Sequence, residues 1–335
     1  MERLAAAASR KYHEQVVLPN RLVSRRESVA KFASEFYRDR LKVLPSSDMQ
    51  RAFQELTSPD TLAVEIAHDG QLPHLGVVRM VLKADEVARA DGRAAVLYLI
   101  GNHYTPQMRP YNLHYGMPLK GRPPDAVKHP PRIGIGRAHV HTPFRLLPPP
   151  SDESLRELHR QLIEYVAHNV GHERRAGRNV SDADEERLLE RLRWQFDLLR
   201  RIAAELSSFG DWLIRVQYEL FRELMGGGVD RVLFLPMAEL TILFRDELTE
   251  LARRILSGKF FWLYCPTCHR RSRVSWSPGA ALLFDCSQCG HRADLGADEV
   301  WDWVMPDIVA YEAAFFRLGI DGWVVGSHAD YHPQI

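Results

Sequence analysis

The chain has 335 residues, of which 45% are hydrophobic and 26% charged, with a formal net charge of +1. That is enough apolar material for a sizeable core in two domains, or in one domain with insertions, and it excludes wholesale disorder. The near-neutral balance argues against a surface built for nonspecific nucleic-acid binding, and no apolar run reaches the roughly 20 residues of a membrane-spanning helix.

The opening segment, MERLAAAASRKYHEQ, has a short alanine run and then charges, unlike a secretory signal. All four cysteines fall in two CxxC pairs rather than a disulfide framework, so a cytoplasmic protein is expected. Residues 1–60 read as a polar helical lead-in with Val29, Phe32, Phe36 and Leu41 as its apolar stripe.

The organising stretch is 61–103. An apolar run from Leu62 to Ile66 ends in His68, Asp69 and Gly70; Leu75, Val78, Val81, Leu82, Ala84 and Ala88 then recur at helical spacing. Asp91-Gly92 closes that helix, and a second apolar run, Ala94 to Ile100, ends in Gly101-Asn102-His103. This order of strand, loop, helix and strand is the unit of a parallel α/β sheet, whose ligands sit beyond the carboxyl ends of the strands. Gly70 and Gly76 let a backbone approach a ligand closely, and the helix start behind them favours an anion. Neither the dinucleotide glycine fingerprint nor a Walker A loop occurs there.

Residues 104–150 are rich in proline, glycine and histidine, which rules out long helices; Arg132–Gly136 reads as a short strand. Residues 151–169 read as a helix, and Ser181 caps another that runs to Leu206. In that second helix Leu189, Leu192, Phe196, Leu199, Ala203 and Leu206 alternate three and four apart, a pattern that serves either a core stripe or a homodimer contact. A further helix covers 211–225 and stops at Gly226-Gly227-Gly228. A third strand, Arg231–Leu235, is followed by a helix over 238–257. Residues 297–318 read as helix, and Asp321–Gly326 as a fourth strand that hands Ser327, His328, Asp330 and His332 to the same edge.

Cys265-Pro-Thr-Cys268 and Cys286-Ser-Gln-Cys289 enclose residues 269–285, the most specific motif of the chain. Four thiolates at this spacing make a closed tetrahedral site, so structural zinc on Cys265, Cys268, Cys286 and Cys289 is expected. His269, Arg270, Arg271 and Arg273 make the finger basic and leave RNA open as a partner. The expected organisation is a helical lead-in (1–60), the first half of an α/β core (61–150), a helical insertion (151–228), a core strand and helix (229–259), a zinc ribbon (260–295) and a C-terminal core helix and strand (296–335).

This order resembles the HUP superfamily, the Rossmann-like nucleotide-binding core of class I aminoacyl-tRNA synthetases and related ligases. Pro73-His74-Leu75-Gly76 is similar to their His-x-Gly-His signature, with Val77 in its fourth position, and Gly326-Ser-His328-Ala-Asp330-Tyr-His332 is similar to a motif after their last core strand. Gly70-Gln71 through Lys83 and Ala88, Gly101-Asn102-His103, Ser208–Asp211 with Val232–Pro236, and Tyr331–Gln334 resemble the family of cysteine-adding ligases of bacillithiol synthesis. The zinc module followed by Leu318–Asp321 also resembles class I lysyl-tRNA synthetases. The resemblance implies a ligase that joins a carboxylate, an amino acid such as cysteine, to a small amine. Gly70, Gln71, His74, Gly76 and Gly326 would hold an adenine nucleotide, and His74, His103, His328, Asp330 and His332 would orient substrate or move protons. No lysine-rich loop of the kind that neutralises a triphosphate in those enzymes is visible in the sequence, so nucleotide affinity is expected to be modest. The alternative is a non-catalytic synthetase-like protein whose ribbon grips RNA or a protein partner.

Overall fold

The computed structural model describes residues 19–58, 61–68, 75–91, 94–102, 133–135, 139, 142–245, 261–265, 267–268, 271–275, 283–286, 288–294, 304–306 and 323–326. In chain order the elements are α1 (Pro19–Glu35), α2 (Ser47–Thr57), β1 (Leu62–His68), α3 (Leu75–Asp91), β2 (Ala94–Ile100), α4 (Asp152–Arg175), α5 (Asp182–Glu205), α6 (Phe209–Leu224), β3 (Val232–Pro236) and α7 (Met237–Leu243). The short strands β4 (Phe261–Tyr264), β5 (Arg271–Ser275), β6 (Leu283–Asp285), β7 (Arg292–Asp294), β8 (Val304–Pro306) and β9 (Trp323–Gly326) follow. A π-helical turn, Phe36–Arg40, ends α1, and a 3-10 turn covers Phe144–Leu146.

Four strands form one parallel sheet in the order β3-β2-β1-β9. The unit β1–α3–β2 forms where the apolar periodicity places it, with Leu62 opposite Ala94 and His68 opposite Ile100. Residues 95–100 of β2 are all buried, as a parallel strand covered on both faces requires. On α3 the buried face is Val77, Val81, Ala84 and Ala88. These recur four, three and four apart along a single stripe, which leaves Leu82 42% exposed rather than inward.

β3 is an edge strand, and an edge exposes unpaired N–H groups. Tyr37, in the turn after α1, closes this one: its hydroxyl accepts from the Phe234 N–H at 2.7 Å, and its ring meets Phe53 of α2 and Tyr218 of α6 edge-on. Burial pushes the Tyr37 hydroxyl well above its ordinary pKa, so it stays protonated. Arg26, also buried, donates from α1 to the Ser58 and Thr61 carbonyls at 2.9 and 2.6 Å and so fixes the entry to β1. α6 covers one face of the sheet: Phe221 lies edge-on to Tyr98 of β2, and the Tyr98 hydroxyl donates to Gln217 at 3.1 Å.

α4 and α5 form a helical hairpin in contact along its length. Ser181 and Asp184 make a reciprocal capping box at the start of α5. Leu192, Leu198, Leu199 and Ile202 of α5 are buried within the chain, with Leu189, Phe196 and Ala203 packed against them. The apolar stripe of this helix is therefore used in intramolecular packing. No helix among the described residues is long and apolar enough to cross a membrane.

Three elements differ from the sequence reading. Residues 133–135 form no strand. Of the helix expected over 238–257, Met237–Leu243 forms α7 and a turn at Phe244 interrupts it; residues beyond 245 lie outside the described ones. Within the stretch read as helix over 297–318, residues 304–306 are β8, paired antiparallel with β4. The valine-methionine-proline segment suits an edge strand, and pairing with β4 overrides its local preference. A second sheet, order β7-β6-β5-β4-β8, thus extends past residue 295, and β8 lies against α7 of the first sheet's carboxyl edge.

Candidate metal centre and sheet-edge site

The two CxxC motifs sit on matching hairpin knuckles. β4 pairs with β5 through Tyr264 and Arg271, which places Cys265 and Cys268 in the turn between them; β6 pairs with β7 through Asp285 and Arg292, which does the same for Cys286 and Cys289. In the second knuckle the Gly290 N–H donates to the Cys286 carbonyl at 2.8 Å and the Cys286 N–H to the His291 carbonyl at 2.9 Å. Gly290 has φ of 72°, a left-handed conformation that glycine adopts without steric cost.

All four Sγ atoms lie within 4.8 Å of one another, with Cys265 to Cys289 at 3.6 Å and Cys268 to Cys286 at 3.5 Å. A tetrahedron of sulfurs about 2.3 Å from a central zinc has edges of about 3.8 Å, whereas a disulfide needs about 2 Å. None of the four cysteines is in a disulfide, and their thiols lie close enough to bind a metal ion. Four sulfur donors fit zinc and fill a tetrahedral shell, which leaves no open position for a substrate. The His291 N–H lowers the Cys289 thiol pKa, but desolvation and the three neighbouring sulfurs outweigh it and push the thiol up to about 12. A divalent cation reverses that balance, because it stabilises all four thiolates at once.

The second site is the carboxyl edge of the parallel sheet. Asn102, just past β2, is fully buried; its side chain accepts from the Ala238 N–H at 3.0 Å and donates to Glu239 Oε2 at 2.6 Å. Glu239, in the first turn after β3, also receives Arg40 Nη2 at 2.8 Å and faces Arg145 Nε at 3.5 Å. Arg40 is shared: its Nε and Nη2 reach the two Asp211 oxygens at 3.1 and 2.5 Å. Asp211 is held in turn by Ser208, whose side chain caps α6. The turn at Phe144–Leu146 is strapped to this edge by the Arg145 N–H on the Asn102 carbonyl and the Phe209 N–H on the Leu147 carbonyl, at 3.0 and 2.7 Å. Gly210 permits the approach, since a Cβ there would lie 3.0 Å from Arg145 Cα.

The charges in this cluster do not behave alike. Burial works to raise the Glu239 carboxyl, but Arg40 and Arg145 more than offset it and hold it below its ordinary value. Burial raises the Asp211 carboxyl, and Arg40 offsets that only in part. Desolvation lowers Arg40, yet Glu239 and Asp211 together raise it. Two guanidinium groups thus face two carboxylates, and each hydrogen-bonding edge of Glu239 is occupied.

Of the residues singled out from sequence, the four cysteines come together. Gly76 is the second residue of α3 and Gly326 the last of β9. Gly70, Gln71, His74, His103, His328, Asp330 and His332 lie outside the described residues. Sequence reasoning missed Arg40, Arg145, Asp211 and Glu239. Glu239 carries a usable signal, because it stands three residues past the end of β3, as Asn102 stands two past β2. Arg40 carries none, since its partners stand far along the chain. No family model matches this chain, and no curated protein matches it significantly.

Proposed function

We propose that the protein is a ligase-like enzyme that binds an adenine nucleotide at the carboxyl edge of a Rossmann-like, HUP-type sheet and joins a carboxylate, an amino acid, to a small amine. One observation carries this reading: the parallel order β3-β2-β1-β9, in which the direction of winding reverses between β1 and β9. Open parallel sheets bind ligands in the crevice at such a reversal. Gly70, Gln71, His74 and Gly76 follow β1 in the sequence and His328, Asp330 and His332 follow β9, and this sequence order supports assigning the two groups to that crevice. The glycines at 70 and 76 suit close backbone approach to phosphates, and the start of α3 contributes a favourable dipole. His74 and His103 supply donors for developing negative charge. The ribbon holds zinc in a structural role, where the metal supplies folding energy and no open coordination position.

Calorimetry with ATP, ADP and AMP tests the reading. Binding of at least one nucleotide by the wild type is expected, with loss in Gly76→Val, because a branched side chain blocks approach to the backbone. The absence of binding at millimolar nucleotide removes the basis for a ligase.

A further inference from the structure

The four cysteines of the ribbon are unequally placed. Cys265 and Cys286, the first of each pair, are 0% and 1% exposed, Cys268 is half-buried, and Cys289 is exposed. The difference arises in the knuckles. Cys265 directly follows β4 and Cys286 directly follows β6, so each continues a paired strand. The Cys286 backbone is also pinned on both sides, by the Gly290 N–H on its carbonyl and by its own N–H on the His291 carbonyl. Cys289 stands in the turn between those contacts, with Gln288 and Gly290 beside it, both exposed.

The exposed sulfur has a buried one in reach. Cys289 Sγ is 3.6 Å from Cys265 Sγ, across from one knuckle to the other. A cysteine that responds to an oxidant needs thiolate character, contact with solvent and a second thiol close by. Metal coordination supplies the first, because a sulfur ligand is deprotonated. The turn at 288–290 supplies the second and Cys265 the third.

We propose that Cys289 is a modification site for hydrogen peroxide and that its oxidation opens the ribbon's metal centre. The proposal rests on the zinc reading given above. The Cys289 thiolate attacks one peroxide oxygen: the S–O bond forms, the O–O bond breaks, and the second oxygen leaves as hydroxide and takes a proton from solvent. The product is a sulfenic acid. The Cys265 thiolate then attacks the sulfenic sulfur: the S–S bond forms, the S–O bond breaks, and hydroxide again leaves as water with a solvent proton. Two thiolates have lost two electrons in all, and the peroxide that gained them has become two water molecules. Neither sulfur of the new disulfide remains a thiolate ligand. Cys268 and Cys286 are then two donors where a structural zinc needs four, and the metal is released.

The test uses the full chain, freshly purified with its zinc, and a small molar excess of hydrogen peroxide. A chromogenic chelator reads zinc release, and mass spectrometry locates the modified cysteines with and without dimedone, which traps sulfenic acids. The dimedone adduct is expected on Cys289 before any other cysteine. Without dimedone a Cys265–Cys289 disulfide is expected, with about one zinc released for each disulfide formed. A first adduct on another cysteine, or zinc release without the Cys265–Cys289 link, overturns the proposal and leaves the zinc site standing. Zinc retained while a free-thiol peptide in the same solution is oxidised has the same effect. Freshly purified protein that carries no zinc overturns the zinc reading and this proposal with it.

Discussion

Glu239→Gln removes one charge from the sheet edge while keeping the side chain's shape and an acceptor for Asn102. The structure sets the size of the effect. Glu239 is nearly buried and pairs with Arg145 and, jointly with Asp211, with Arg40. Removing one member of a buried ion pair costs about 3–5 kcal/mol, because the partner keeps its charge without its counter-charge. The lower end applies here: Arg40 retains both bonds to Asp211, and its side chain is 34% exposed, so water takes up part of the loss. A destabilisation of about 3 kcal/mol at pH 7 is expected, read from urea unfolding followed by tyrosine and tryptophan fluorescence. The pH dependence has a definite sign. The folded Glu239 pKa lies below the unfolded one, so its ion pairs contribute fully above the unfolded value of about 4.3 and fade as pH falls through the lower folded value. Asp211 works the other way, since burial raises its carboxyl and acidification relieves that cost. The gap between wild type and variant should therefore persist from neutral pH to about pH 5 and narrow below about pH 4. In the double variant Glu239→Gln, Arg145→Met the losses should fall short of additivity by about 1 kcal/mol. A loss under about 0.5 kcal/mol, or a gap indifferent to pH, refutes the view that this network holds the edge.

Freshly purified protein should carry about one zinc per chain by elemental analysis. Cys286→Ser should release the metal and expose the remaining thiols to alkylation without denaturant, whereas thiols that already react freely in the metal-replete wild type count against the site. Gly210→Ala should destabilise by about 1–3 kcal/mol in the same unfolding assay, because the new Cβ falls 3.0 Å from Arg145 Cα and 3.2 Å from its N. A neutral outcome would mean that the turn at 144–146 shifts away freely. Tyr37→Phe leaves the Phe234 N–H at the edge of β3 without its acceptor, at a cost of about 1–3 kcal/mol. Hydrogen exchange at the Phe234 amide should then accelerate more than at Leu233, and equal rates would contradict the assigned edge contact.

Local features are legible from the sequence because their causes are local. The β1–α3–β2 unit follows from apolar runs and a 3.6-residue period. The Ser181 cap follows from a side chain reaching a backbone N–H three residues on, and the two knuckles from CxxC spacing. Even there, α3 faces the sheet through Val77 rather than Leu82, because the packing partner, not the period, selects which stripe is buried. Tertiary structure alone decided what depends on long-range pairing. Nothing near Trp323–Gly326 states that it will lie beside β1, and nothing near Val304–Pro306 states that it will join β4 instead of a helix. Backbone ladders form wherever an edge is open, and that edge is made by other parts of the chain. Arg40 reads as one more surface cation in the sequence. It becomes the pivot of the sheet edge only when Asp211 and Glu239, 171 and 199 residues away, are buried against it and burial makes their charges depend on its own.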